Sequence, residues 1–462
     1  MALGLSGNLG NARFRYLDII EALAHRIREG GLVPGTRLPT QRAVADQFGV
    51  SIATVNRAYI EAARQGLVIA HVGRGTFVAE DAAHAATPGA AVRDSERLDL
   101  TTNRWFFTER TAPLLQRAVK TISGQTGLDN LMRPQPGPGH VRHRTTGCQW
   151  LARVGVETTP DEVVICNGLQ HGLSLVLTAL AQPGDVILTE ELTYPGIKLL
   201  DQAHGIRVRG LPIDDNGLSA EAVDEACTRE GARFLVCTPS VHNPTNVMMG
   251  DKRRRQLAEI AQRHDLIIIE CDNNEIPPAH PLKPLCSFAE ERSFHISSAW
   301  RVSGFGIHLG FIRTPQAHAG RIATALRATT WLISPLLAEI FSIWMGDGTI
   351  EQILDWHRTE NARRLDLARR ILASHDIQIH ADSPNVWVTL PAPWRSEDFA
   401  GHAEARGVLV TTADMFAVGR TIAPHAVRIS LGGARDLSSL EQGLRDLSDI
   451  LAEGPHPARL VL

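Results

Sequence analysis

The stretch "TQRAVADQFGVSIATVNRAYIEAARQG", Thr40 to Gly66, holds two short helical runs on either side of the turn "GVS". Thr40 is a good N-cap for the first run and Gly49 ends it; Ser51 caps the second and Gly66 ends that one. Two helices so closely joined predict a helix-turn-helix. Upstream, "YLDIIEALAHRIREG" sets Leu17, Ile20, Leu23, Ala24 and Ile27 at helical spacing before Gly30 and Gly31, which predicts one more amphipathic helix. Downstream, "LVIAHVGRGTFVAE" is two β-rich runs around Gly73-Arg74-Gly75, a hairpin with a cationic tip.

This order of elements suits DNA. The second helix of the pair can enter the major groove, where Ser51, Thr54, Asn56 and Arg57 would face base edges. Arg37, Arg42 and Arg74 on flanking elements, with Thr40, Gln41 and Thr76 beside them, would meet phosphates. The bland alternative is a small α/β domain with solvated arginines. The whole stretch "GTRLPTQRAVADQFGVSIATVNRAYIEAARQGLVIAHVGRGTFV" resembles the winged helix of GntR-type bacterial repressors, which implies an operator of double-stranded DNA. Ile52 departs from that pattern, because many members carry a basic residue there. The family's base preference is therefore not carried over.

At 462 residues the chain is long enough for two or three domains. A net charge of −3 excludes a uniformly basic nucleic-acid binder but leaves room for a basic segment. Six cysteines without a C-x-x-C pair disfavour a zinc site and a secreted disulfide framework, so a cytoplasmic home is expected. No apolar run long enough to span a membrane and no signal-like N-terminus is present. From Asp81 the segment "DAAHAATPGAAVRDSE" loses periodicity. We place a DNA-binding domain over 1–80, a linker over 81–98 and a second domain over 99–462.

In the second domain, "EVVICN", "DVILTE", "RFLVCTP" and "LIIIEC" alternate with helical stretches, which predicts an α/β fold with a mostly parallel sheet. "CNGLQHGLSLVLTALAQPGD" puts a glycine turn at the start of a helix, so that the amides of Gly168, Leu169 and Gln170 could face an anion. "LTYPG" supplies Tyr194 and "VHNPTN" supplies Asn243. Over roughly residues 99 to 462 this order resembles fold-type I pyridoxal-phosphate enzymes, the aminotransferase superfamily. That implies a large sheet domain with helices on both faces and a smaller C-terminal α+β lobe. With the winged helix in front, the whole chain looks like a MocR-subfamily regulator, in which such a domain senses effector for the DNA-binding domain and forms a homodimer.

The resemblance implies pyridoxal phosphate and a set of residues to hold it. The helix-start turn at Gly168 to Gln170, the stacking Tyr194, the ring-hydroxyl partner Asn243, the phosphate-side Ser298 and the carboxylate clamp Arg428 match the family pattern. Others do not. "SSAWRVSGFGIHLGFIR", Ser297 to Arg313, aligns without a gap to the family's Schiff-base loop and carries Arg301 in place of the lysine and His308 in place of the phosphate arginine. An arginine stays protonated and cannot supply the neutral amine an imine requires. In "LIIIECDNNEI" the best register puts Cys271 and Asn274 where a carboxylate and an aromatic hydroxyl are expected, with Asp272 one residue away; Pro134 stands where relatives have a tyrosine. The expectation is a regulator, not an enzyme, that binds a small anionic or amino-acid-like effector without covalent pyridoxal phosphate, Arg301 now serving as part of the anion site. Noncovalent pyridoxal phosphate, a working aminotransferase and a ligand-free dimerisation domain are the alternatives.

Overall fold

The computed structural model describes residues 16–28, 31–64, 67–71, 75–79, 97–103, 111–126, 128–272, 277 and 281–454. The chain divides into two compact units, Met1–Arg97 and Leu98–Leu462.

In the small unit, α1 (Tyr16–Arg28), α2 (Gln41–Phe48) and α3 (Ile52–Arg64) precede an antiparallel hairpin of β1 (Val68–His71) and β2 (Gly75–Val78). The helix boundaries follow from their caps. Thr40 Oγ1 accepts from the Ala43 amide, and Gly49 closes α2 at φ 63°, a left-handed conformation that glycine adopts freely. Ser51 Oγ accepts from the Thr54 amide to start α3. Ile19, Ile20, Leu23 and Ile27 of α1 pack on Val44 of α2, on Val55 and Tyr59 of α3, and on Val68 and Val78 of the hairpin. Buried Tyr59 donates its hydroxyl to the Pro39 carbonyl at 2.9 Å, and burial pushes its phenol up to about 12. That bond ties α3 to the segment entering α2.

The large unit is built on seven strands: β3 (Val163–Cys166), β4 (Val186–Glu190), β5 (Arg207–Leu211), β6 (Phe234–Cys237), β7 (Ile267–Asp272), β8 (Ser293–Ser298) and β9 (Gly310–Arg313). Their order is β3-β9-β8-β7-β6-β4-β5, parallel except for β9, which runs antiparallel to both neighbours. Five of the strands are buried along their whole length, as a sheet covered on both faces requires. One face packs on α5 (Gly168–Leu180), whose Gly172 lies so close to the sheet that a Cβ there would meet Ile296 Cγ2 at 2.7 Å. The other receives α4 (Val141–Arg153), where a Cβ on Gly147 would meet Phe311 at 2.6 Å. A C-terminal lobe adds a second sheet, β10 (Asp376–Ile379), β11 (Asn385–Thr389), β12 (Thr411–Thr412) and β13 (Ala426–Ser430), in the order β10-β11-β13-β12. Leu98 and Asp99 pair in parallel with Val408 and Leu409 of that lobe.

One buried ionic cluster sits beneath the sheet. Glu270 accepts from the amides of Leu285 and Cys286 and lies 3.3 Å from His295 Nδ1 and 3.7 Å from Arg254 Nη1. Arg254 in turn donates to the carbonyls of Met249, Lys283 and Pro239. Glu270, Cys286 and His295 are the one trio of metal-ligating side chains gathered among the described residues, and the Glu270 carboxylate is already committed to the chain.

Candidate DNA interface and effector cleft

The exposed face of α3 carries Ile52, Ala53, Asn56, Arg57 and Ile60. Of the hydroxyl residues expected to face a groove, Ser51 and Thr54 lie 2.8 Å apart, bonded to each other at the helix start. Gln41 of α2 donates from Nε2 to Asn56 Oδ1 at 3.1 Å, coupling the two helices through their exposed polar side chains. Arg42 is exposed in the first turn of α2, and Thr40 is spent on that helix's cap. Arg37 forms an isolated β-bridge with Phe77, and its guanidinium lies under Gly75, where a Cβ would meet Nε at 2.9 Å. Gly75 has φ 112°, so the wing's second strand begins at a backbone conformation that favours glycine. Thr76 follows in β2, its carbonyl accepting from Leu38. Arg74 at the hairpin tip lies outside the described residues.

The second cluster centres on Arg428 in the middle of β13 and on Arg301 just beyond β8. Arg428 of β13 is buried, with Nη1 donating to Asn243 Oδ1 at 2.9 Å and Nη2 to the Thr101 carbonyl at 2.6 Å. Its Cζ stands 4.9 Å from the centre of the Phe416 ring, and its Nε is buried without a hydrogen-bond partner. Burial drives the Arg428 guanidinium down to about 9, and the charge of Arg301 adds to the effect. Arg301 is therefore near enough to be felt. It sits in a single helical turn, Trp300–Ser303, buried, with its Cζ 5.4 Å from the Trp300 ring. Ser298, also buried, donates to the Leu309 carbonyl.

At the start of α5 the space beside Gly168 is filled. Gly168 has φ 70°, and a Cβ there would fall 2.5 Å from His308 Nε2. The His308 ring thus packs directly on the helix start, and burial lowers its pKa, which keeps it neutral. The neighbouring His171 is likewise lowered, by burial first and His308 second. Gln170 donates to the Gly196 carbonyl at 3.0 Å, while its buried Oε1 has no partner. Leu169 is buried in the core, and Tyr194 is half-buried against the same core.

Strand parity settles which of Cys271 and Asp272 faces α5. Side chains alternate across a sheet, and Cys271 is registered with Ile296 while Asp272 is registered with Ser297. Ile296 faces α5, so Cys271 does too. Ser297 faces α4, where it accepts from Trp150 Nε1 at 3.0 Å and donates to Asp272 Oδ2 at 2.9 Å. Asp272 thus lies on the far side of the sheet. The Cys271 thiol, raised by burial, stays neutral and offers no charge to a pyridine nitrogen. Asn274 lies outside the described residues.

These residues do not fit covalently held pyridoxal phosphate. The four lysines of the sequence are Lys120, Lys198, Lys252 and Lys283, none of them in the 297–313 loop. Lys198 donates to the carbonyls of Met415 and Ala417, and Lys283 lies over the Phe288 ring. The carboxylate is displaced and an imidazole covers the phosphate turn. Thr101 and Phe416, which frame Arg428, were not singled out from the sequence. They come from 327 and 12 residues away, and no local pattern marks either.

Residues 15–78 match the family of bacterial regulatory proteins of the gntR family, and residues 95–272 match aminotransferase class I and II. The chain is 29% identical over 438 residues to the HTH-type transcriptional regulator YdeF of Bacillus subtilis, covering 94% of each. It is 24% identical to the HTH-type pyridoxine biosynthesis transcriptional regulator PdxR of Corynebacterium glutamicum, over 80% of this chain and 79% of that one. To the probable rhizopine catabolism regulatory protein MocR of Rhizobium meliloti it is 29% identical, over 55% of each. Among solved structures, the kynurenine aminotransferase of Pyrococcus horikoshii superposes with a TM-score of 0.71 at 19% identity, covering 78% of this chain and 92% of that one, which shows the shared fold. The chain thus joins a GntR-family helix-turn-helix domain to an aminotransferase class I and II domain, and it is a transcriptional regulator of the GntR/MocR class.

Proposed function

We propose that this regulator senses a small carboxylate in the cleft around Arg428, without covalent pyridoxal phosphate, and acts on operator DNA as a cytoplasmic homodimer. The carrying observation is the state of Arg428. Its terminal nitrogens are held by Asn243 and Thr101, its Nε is buried and unmet, and a second guanidinium, Arg301, raises the local positive charge. Burying like charges together is costly, and an arriving anion relieves that cost with charge-assisted hydrogen bonds. Arg301 replaces the imine-forming group with a permanent cation. What was a reaction centre in relatives thereby becomes a receptor for charge. A two-fold dimer would place two winged helices on paired half-sites.

On the DNA side, Arg57 reads base edges and Arg42 contacts phosphate. Replacing either with alanine is expected to weaken operator binding by about tenfold or more, as loss of one good arginine contact does. The full chain is tested by calorimetry against amino acids and dicarboxylates, and by borohydride treatment with pyridoxal phosphate followed by intact mass. Heat of binding to a carboxylate, with no added mass, is the expected result. A trapped pyridoxyl adduct on wild-type protein would overturn the noncovalent reading, and silence across the carboxylate panel would overturn the effector.

A further inference from the structure

We propose that the recognition helix selects its operator through a thymine methyl group read by Ile52. The proposal rests on the DNA-binding reading of the small domain. Ile52 is the first residue of α3 and is 52% exposed, and Ile60, two turns on, is 61% exposed. Residues at the start of a recognition helix are those that reach base edges. The other groups there are restrained: Ser51 and Thr54 bond to each other, and Gln41 holds the Asn56 carbonyl oxygen.

An isoleucine has no donor or acceptor to offer a base. In the major groove the edges of guanine, cytosine and adenine present hydrogen-bonding atoms, while thymine adds a C5-methyl group. Set against guanine or cytosine, the Ile52 side chain would strip water from polar atoms and return nothing. Against thymine it buries a methyl group. The occupant of this apolar surface is therefore DNA, because the surface is continuous with Asn56 and Arg57 on the same exposed face.

The test uses the full-length chain and a random duplex library. Selected half-sites should share a thymine at one fixed position, and replacing that base with uracil should weaken binding about fourfold, the worth of one buried methyl. Ile52→Ala should bind thymine and uracil operators alike while still binding DNA, Ile52→Val should restore part of the difference, and Ile52→Arg should move the selected base toward guanine. Equal affinity of the wild type for thymine and uracil at every half-site position overturns the proposal, as does an Ile52→Ala variant that keeps the preference. Failure to bind any duplex at low salt would instead overturn the DNA-binding reading and this proposal together.

Discussion

The two walls of the candidate site differ in kind. One wall keeps the groups expected to hold a ligand: Asn243 and Arg428, bonded to each other, and the half-buried Tyr194, expected to stack. The other has exchanged the groups that make and manage a covalent bond, with Arg301 for the lysine, Cys271 for the carboxylate and His308 on the phosphate turn. Drift at a surface would not respect that division. Binding would call on the first wall and imine chemistry on the second, so the division is the one the proposed receptor requires.

The sharpest way to break this contrast is to restore the second wall. Arg301→Lys with Cys271→Asp and His308→Arg should yield a borohydride-trappable pyridoxal-phosphate adduct by intact mass where the wild type gives none. If the wild type already forms it, the contrast fails. Truncating the first wall should come next in size. Arg428→Ala should weaken carboxylate binding about thirtyfold or more by calorimetry, the usual loss when a buried charged partner is removed. A smaller effect tests the packing of His308. Gly168→Ala forces a Cβ into the imidazole at φ 70° and should cost about 1–3 kcal/mol in urea unfolding. Adding His308→Ala should recover the steric part and leave the backbone part.

The far face of the sheet supplies a control. Burial alone would raise the Glu270 carboxyl, but the His295 and Arg254 charges and the Cys286 amide overcome it and hold it down to about 2. A carboxyl lowered by folding stabilises the fold at pH values above its ordinary 4.5 and loses that contribution as pH falls from there toward 2. Melting temperature should decline across that window with or without a carboxylate ligand, and Glu270→Gln should flatten the decline.

Legibility in the sequence followed distance along the chain. Thr40, Gly49 and Ser51 act within a few residues, so the caps of α2 and α3 could be read directly, and the strand runs gave the sheet. Arg301 stood out in the sequence because its loop aligns without a gap to the Schiff-base loop of the family it resembles. The choice between Cys271 and Asp272 was open until the pairing with β8 was known, since a shift of one residue reverses every side chain. The Thr101 and Phe416 contacts to Arg428, and the seating of His308 on Gly168, arise from tertiary packing that no local spacing announces.

The opposed facing of Cys271 and Asp272 also limits the routes by which the chain can change. A one-residue slip in β7 would turn a carboxylate toward α5, yet it would also turn Glu270 away from Arg254 and His295 and leave the buried Arg254 charge without its carboxylate. An insertion or deletion is thereby a costly way to set a carboxylate on the α5 face. Substitution at position 271 avoids that cost, and a return to cofactor chemistry would still need changes in a loop some thirty residues further on.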